Sequence, residues 1–193
     1  MDGVDDFTKK LSQKGRVQKA RMRIYSENAF FGPLATKLRL VETKAVPTAA
    51  VDPNNRLLFN PEFIESLSDE ELQGVIVHEV MHHVLECFSR LSWRDPKIWN
   101  IAQDIIINNT LLNDGFELPE GVILPENNSI TVNNSEGEPL EIENIPDYSS
   151  ESLYEALEDH MPPEEEQDGD GDGSGQGQPV YGGQNQGSGN GGS

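Results

Sequence analysis

Between Ser68 and Leu91 the chain reads SDEELQGVIVHEVMHHVLECFSRL, and no other stretch restricts the possible fold as tightly. Ser68 is a natural N-cap, Glu71 three residues on completes a capping box, and Asp69 and Glu70 put negative charge in the first turn, where the helix dipole favours it. The pattern predicts a helix from Asp69 to about Leu91. Val75, Ile76, Val77, Val80, Met81, Val84 and Leu85 make that helix apolar on most sides, as expected of one enclosed by a core. His78, Glu79 and His82 sit inside the same apolar stretch. Buried polar groups are costly unless something satisfies them, so this helix requires a partner for its imidazoles.

His78-Glu79-Val80-Met81-His82 is an HExxH arrangement. Histidines four apart on a helix project from one face, one turn apart, so both rings can converge on a single Zn²⁺ at about 2.0–2.1 Å. Glu79 is rotated by about 100° from His78 and flanks such an ion without binding it, which is where a base for a zinc-activated water belongs. With 4 His in the chain, an accidental HExxH is expected in about one such sequence in a hundred, and few accidents would also lie mid-helix behind a capping box.

Catalytic zinc takes three protein ligands as a rule. Glu86 is excluded, because ligands at i, i+4 and i+8 form a row about 12 Å long by helical rise, and His83 lies about 140° around the helix from His78. The longer HExxHxxGxxH pattern is absent, with Leu85 and Phe88 at its last two positions. A second helix is marked by Asp95-Pro96 at its start and Asp114-Gly115 at its end. On it Ile98, Ile101, Asp104, Ile105, Asn108 and Leu112 share one face. An acid on an apolar stripe needs a counter-charge, so Asp104 is the expected third ligand, with Asn108 one turn on as a hydrogen-bond partner that orients a ligand. The competing reading pairs Asp104 with Arg90 or Arg94.

The remaining segments predict an α+β fold. An amphipathic helix is expected over residues 4–25, ended by Pro33, and an apolar segment from Leu34 to Val41 fits helix or strand equally. Thr48–Val51 and Arg56–Asn60 flank Asp52-Pro53-Asn54-Asn55 and predict a hairpin whose second strand lies beside the active-site helix and offers an edge to an extended peptide. Ile130–Val132 with Leu140–Ile142 predicts a second hairpin, and Ser150 to His160 a last helix. From Pro162 the chain is acid, Gly, Gln and Ser and is expected to be disordered, giving a domain over 1–161 and a tail over 162–193.

Charge is unevenly spread. All 14 Lys and Arg fall in residues 1–100, while residues 101–193 carry acids alone, so the formal charge of −20 belongs to the second half. That disfavours nucleic acid as a general partner. The cations at Lys9, Lys10, Lys14, Arg16, Lys19, Arg21 and Arg23 read as the wet side of a helix rather than as an RNA or DNA site. A single Cys87, no apolar run of membrane-spanning length and an acidic N-terminus fit a cytoplasmic protein with no membrane association. Asp168-Gly-Asp170-Gly-Asp172-Gly173 imitates half an EF-hand loop, but Pro179 stands where the closing Glu belongs.

From about Phe30 to Gly121 the chain resembles the putative metallopeptidase domain that precedes von Willebrand factor A-like domains in bacteria and some phages. The likeness runs through FFGPLATKLRLVE, VPTAAVD, LLFNPEFIESLSDEEL, VIVHEVMHHVL, RDPKIWNIAQDIIINNTLL and GFELPEGV. It implies a zincin-like fold, Zn²⁺ held by His78, His82 and Asp104, and hydrolysis of a peptide or protein substrate with Glu79 as general base. It also implies a setting near AAA-type ATPases and, if phage-encoded, in the host cytoplasm. The family's Trp-Asn before the acid appears as Trp99-Asn100. A von Willebrand-type metal motif is missing, since Asp172-Gly173-Ser174-Gly175-Gln176 lacks the final Ser. The alternative function is a zinc-containing binding or scaffolding module without turnover. Tyr148, Tyr154 and His160 are the sequence candidates for stabilising an oxyanion.

Overall fold

A computed structural model describes residues 11–134 and 136–161. The fold is mixed α+β. Helix α1, Gln13–Glu27, starts where the Ser12 side-chain oxygen accepts the Gly15 N–H. Within the described residues, the expected helix over 4–25 corresponds to α1, whose first turn is set by the Ser12 cap. Residues 4–10 of that expectation lie outside the described residues, as does the tail from Pro162 with its acidic loop at 168–173. Asn28 accepts the backbone N–H groups of Phe30 and Phe31 through its side chain and launches α2, Phe31–Lys37. Pro33 does not end a helix but lies in the first turn of one, where the missing N–H costs nothing. The apolar segment read as helix or strand is divided between the end of α2 and β1, Arg39–Glu42.

The hairpin is present as β2, Ala49–Val51, and β3, Arg56–Phe59. Asp52 closes it, its Oδ1 accepting the Asn54 and Arg56 N–H groups. β1 adds to the far side of β3 in parallel, giving the order β1-β3-β2. So β3 is the central strand and has no free edge. The strand that touches the long helix is β2, and the peptide-pairing edge expected on Arg56–Asn60 is not available there.

After α3, Pro61–Ser66, comes α4, Asp69–Val84, whose capping box is complete: Ser68 Oγ accepts the Glu71 N–H at 2.9 Å, and Glu71 Oε2 accepts the Ser68 N–H at 2.7 Å. The predicted run to Leu91 is broken. Glu86 adopts a left-handed conformation (φ 53°) and a short α5, Cys87–Arg90, follows. Arg90 holds the break by donating to the Leu85 carbonyl and to both oxygens of Glu151, which comes from the helix near the end of the described residues.

Helix α6, Pro96–Asn113, has the predicted Asp95 cap, with Oδ1 accepting the Lys97 and Ile98 N–H groups, and Gly115 beyond its end at φ +83°. Strands β4, Ile130–Asn133, and β5, Pro139–Ile142, pair antiparallel, and α7 spans Ser150–His160.

Two apolar clusters result. One gathers α1, α2, the sheet and α4 around Phe59, Leu72, Ile76 and Ile107. The other gathers α7 and β5 around Trp99, Ile105, Leu153 and Tyr154. Helix α6 contributes to both, turning Ile107 and Leu111 to the first and Ile98, Ala102 and Ile105 to the second. Gly74 allows the chain leaving α6 to lie directly on α4, since a Cβ there would stand 1.9 Å from the Glu117 carbonyl oxygen. No helix among the described residues is long and apolar enough to cross a membrane.

Candidate metal centre

The seam between α4 and α6 brings His78, His82 and Asp104 together, all buried. His82 Nε2 lies 3.0 Å from His78 Nε2. Asp104 Oδ1 lies 3.4 Å from His78 Nε2 and 3.3 Å from His82 Nε2. Two donors each about 2.05 Å from a tetrahedral ion stand ~3.3 Å apart, so this triangle already has the size of a zinc ligand set.

The hydrogen-bond inventory fits the same group. His78 Nδ1 is 2.7 Å from Asn108 Oδ1, while Asn108 Nδ2 donates to the Ile123 carbonyl at 2.7 Å. Because the amide nitrogen is occupied as a donor, its oxygen must accept, so His78 carries a hydrogen on Nδ1, and in the neutral ring Nε2 has the lone pair on the side of Asp104. On Asp104, Oδ2 accepts the Asn100 Nδ2–H at 3.0 Å, whereas Oδ1 is buried with no hydrogen-bond partner. An orphaned carboxylate oxygen facing two imidazole nitrogens is a donor set that a divalent cation would fit. Arg90 and Arg94, the competing partners for Asp104, are engaged elsewhere: Arg90 with Glu151, and Arg94 over the rings of Trp93, Trp99 and Tyr154.

Electrostatics couple the three groups. Burial by itself would raise the Asp104 carboxyl and lower the His78 imidazole. Their mutual attraction, joined for the carboxylate by His82, outweighs burial, leaving Asp104 at about 2 and His78 above its ordinary value.

Glu79, expected to flank the ion, is buried, and its Oε2 accepts the backbone N–H of Val51 at 2.9 Å. In the β2–β3 ladder Ala50 faces Leu58, so the Val51 N–H points away from β3 and toward α4. The sheet thereby fixes the carboxylate next to the histidines.

Not all candidates gather here. Tyr154 binds at the other end of α6, its hydroxyl accepting the Asp95 N–H and donating to Glu158. Asp95 precedes Asp104 by nine residues, roughly 13 Å along a helix. Nε2 of His160 accompanies the Glu138 carbonyl, and Tyr148 packs against the second cluster. His83 turns away, as its angle required, lining a cavity of about 140 Å³ with Leu34, Leu38 and Val84. Asn100 was noted in the sequence as part of a Trp-Asn pair. Its i, i+4 spacing to Asp104 was the signal for its contact.

Four of the cations on this helix face are held by protein groups, and Lys14 is exposed. Arg16 and Lys19 bind Asp69, Arg23 binds Glu27 and Glu70, and Arg21 is buried against the Thr36 carbonyl. Lys9 and Lys10 lie outside the described residues.

A buried two-histidine, one-carboxylate cluster on two packed helices could hold a metal ion. The chain belongs to the family described as putative metallopeptidase domain, whose model matches residues 12–192. An uncharacterized protein of Thermotoga maritima is 31% identical over 117 residues, covering 57% of this chain and 30% of the relative. This chain therefore aligns with less than a third of that relative's length. No solved structure matches it.

Proposed function

We propose that the chain is a zincin-like, zinc-dependent peptidase in which His78, His82 and Asp104 hold the ion and Glu79 is the general base. The observation that carries this reading is the orphaned Asp104 Oδ1 standing 3.3–3.4 Å from two imidazole nitrogens, beside a carboxylate that makes no third ligand. Zn²⁺ bound there supplies Lewis acidity to a peptide carbonyl and to a water molecule. Asn108 keeps the His78 hydrogen on Nδ1, so that Nε2 is always the ligating atom. The Val51 N–H holds Glu79 in place; its carboxylate accepts a proton from the water and passes it to the departing amine.

Glu79→Gln preserves shape and the acceptor for Val51 but removes the base. Zinc should be retained while cleavage of a peptide library, read by mass spectrometry, falls by about 10²–10⁴-fold. Equal cleavage by parent and variant would refute the role. Zinc binding without cleavage by the parent under all library conditions would favour the alternative, a silent binding or scaffolding module.

A further inference from the structure

Asn100 lies one helical turn before Asp104, half-buried on the same stripe of α6 that ends in Asn108. Its side-chain amide donates to Asp104 Oδ2 at 3.0 Å, and this is the oxygen turned from the histidines. The two carboxylate oxygens thus have different tasks: one is tied to the helix that carries it, the other faces both Nε2 atoms with no hydrogen-bond partner. A free aspartate has two equivalent oxygens and rotates about χ2 within a broad well, so without a restraint it presents either oxygen, or both.

We propose that Asn100 is a positioning residue that commits Asp104 to one-oxygen ligation and so keeps a coordination position free for substrate or water. The inference rests on the metal reading above and goes beyond it, since that reading needs Asp104 only as a ligand. A cation held by two imidazoles and one carboxylate oxygen would keep its fourth position for water or substrate, whereas a carboxylate swung to both oxygens would add a fifth donor beside that water and crowd the position. Asn100 and Asn108 then act as a pair, spaced eight residues apart on α6, each fixing which atom of a different ligand meets the ion.

The variant Asn100→Ala removes the amide at a half-buried helical position where Ala is the better helix former, so folding is preserved. Asn113→Ala is the control, because Asn113 is also on α6 but its amide binds Asn128 instead of the metal cluster. Parent and both variants are titrated with Zn²⁺ against a chelator and with Co²⁺ while the visible d–d band is recorded. Asn100→Ala should weaken zinc binding about 10–100-fold and lower the intensity of the Co²⁺ band, as five-coordinate cobalt absorbs less than four-coordinate; Asn113→Ala should match the parent. Asn100→Ala with the parent's affinity and band overturns the proposal and leaves the metal reading standing. Equal losses in both variants overturn it as a general helix effect. A parent that binds neither ion overturns the metal reading and this proposal with it. Asn100→Ser, likewise too short to reach Oδ2, repeats the measurement should the alanine variant be insoluble.

Discussion

Two polar clusters on this molecule each join basic and acidic side chains, and they have opposite fates. Around α1 and the start of α4, Arg16, Lys19 and Arg23 meet Asp69, Glu70 and Glu27, and Arg16 also donates to the Ile64 and Leu67 carbonyls. Charges there are half-exposed and fully answered by protein groups. At the seam of α4 and α6, His78, His82 and Asp104 are buried, yet one carboxylate oxygen has no hydrogen-bond partner and only the two imidazoles near it. A cluster satisfied at the surface stabilises modestly and has no need of a ligand. One that is buried and one hydrogen bond short leaves a charge that a cation or a protonated imidazole can answer.

The sharpest way to break that comparison is to remove an imidazole. His82→Ala should abolish the stabilisation that zinc confers, which for the parent amounts to about 4 kcal/mol at a thousandfold excess of zinc over Kd. Thermal unfolding with and without zinc reads this directly. A zinc-dependent shift in His82→Ala equal to the parent's would show that the ion binds elsewhere.

A pH series gives the next largest effect. In the metal-free chain His78 is pushed up by Asp104, so its contribution to stability is complete below the unfolded value of about 6.5 and is lost as pH rises through the folded value. Asp104 is held down at about 2, so its contribution is present above about 3.9 and is lost as pH falls toward 2. Metal-free protein should therefore unfold more easily as pH rises above about 6.5. Zinc affinity should climb over the same range, because the ion displaces the proton on the ring. Parallel trends in the two would contradict the coupling.

The smallest effect is expected in the satisfied cluster. Lys19→Ala breaks an exposed pair with Asp69 and should cost about 0–1 kcal/mol, screened by salt, with zinc affinity unchanged.

How far the sequence revealed this structure depended on the range of the interactions. Local chemistry was readable: the Ser68–Glu71 box, the Asp95-Pro96 start, the Asp52 turn and the Ile130–Ile142 hairpin appear where side-chain capping and turn rules put them. The gathering of His78, His82 and Asp104 was readable too, because helical spacing puts His78 and His82 on one face and an isolated acid on an apolar stripe stands out. Long-range choices were hidden. The break at Glu86 is secured by Arg90 reaching Glu151, a residue 61 positions later, and nothing near Leu85 announces it. The parallel pairing of β1 with β3 made β3 central, a decision no strand periodicity encodes. The Val51 N–H that holds Glu79 depends on which way β2 turns its free edge, and so could not be read before the sheet order was known.

The most direct measurement is the metal content of the purified chain and of Asp104→Ala, by elemental mass spectrometry after dialysis against metal-free buffer. One zinc per parent chain and a strongly reduced content in Asp104→Ala is the predicted result. A parent without metal, or a variant that keeps as much as the parent, would contradict the account.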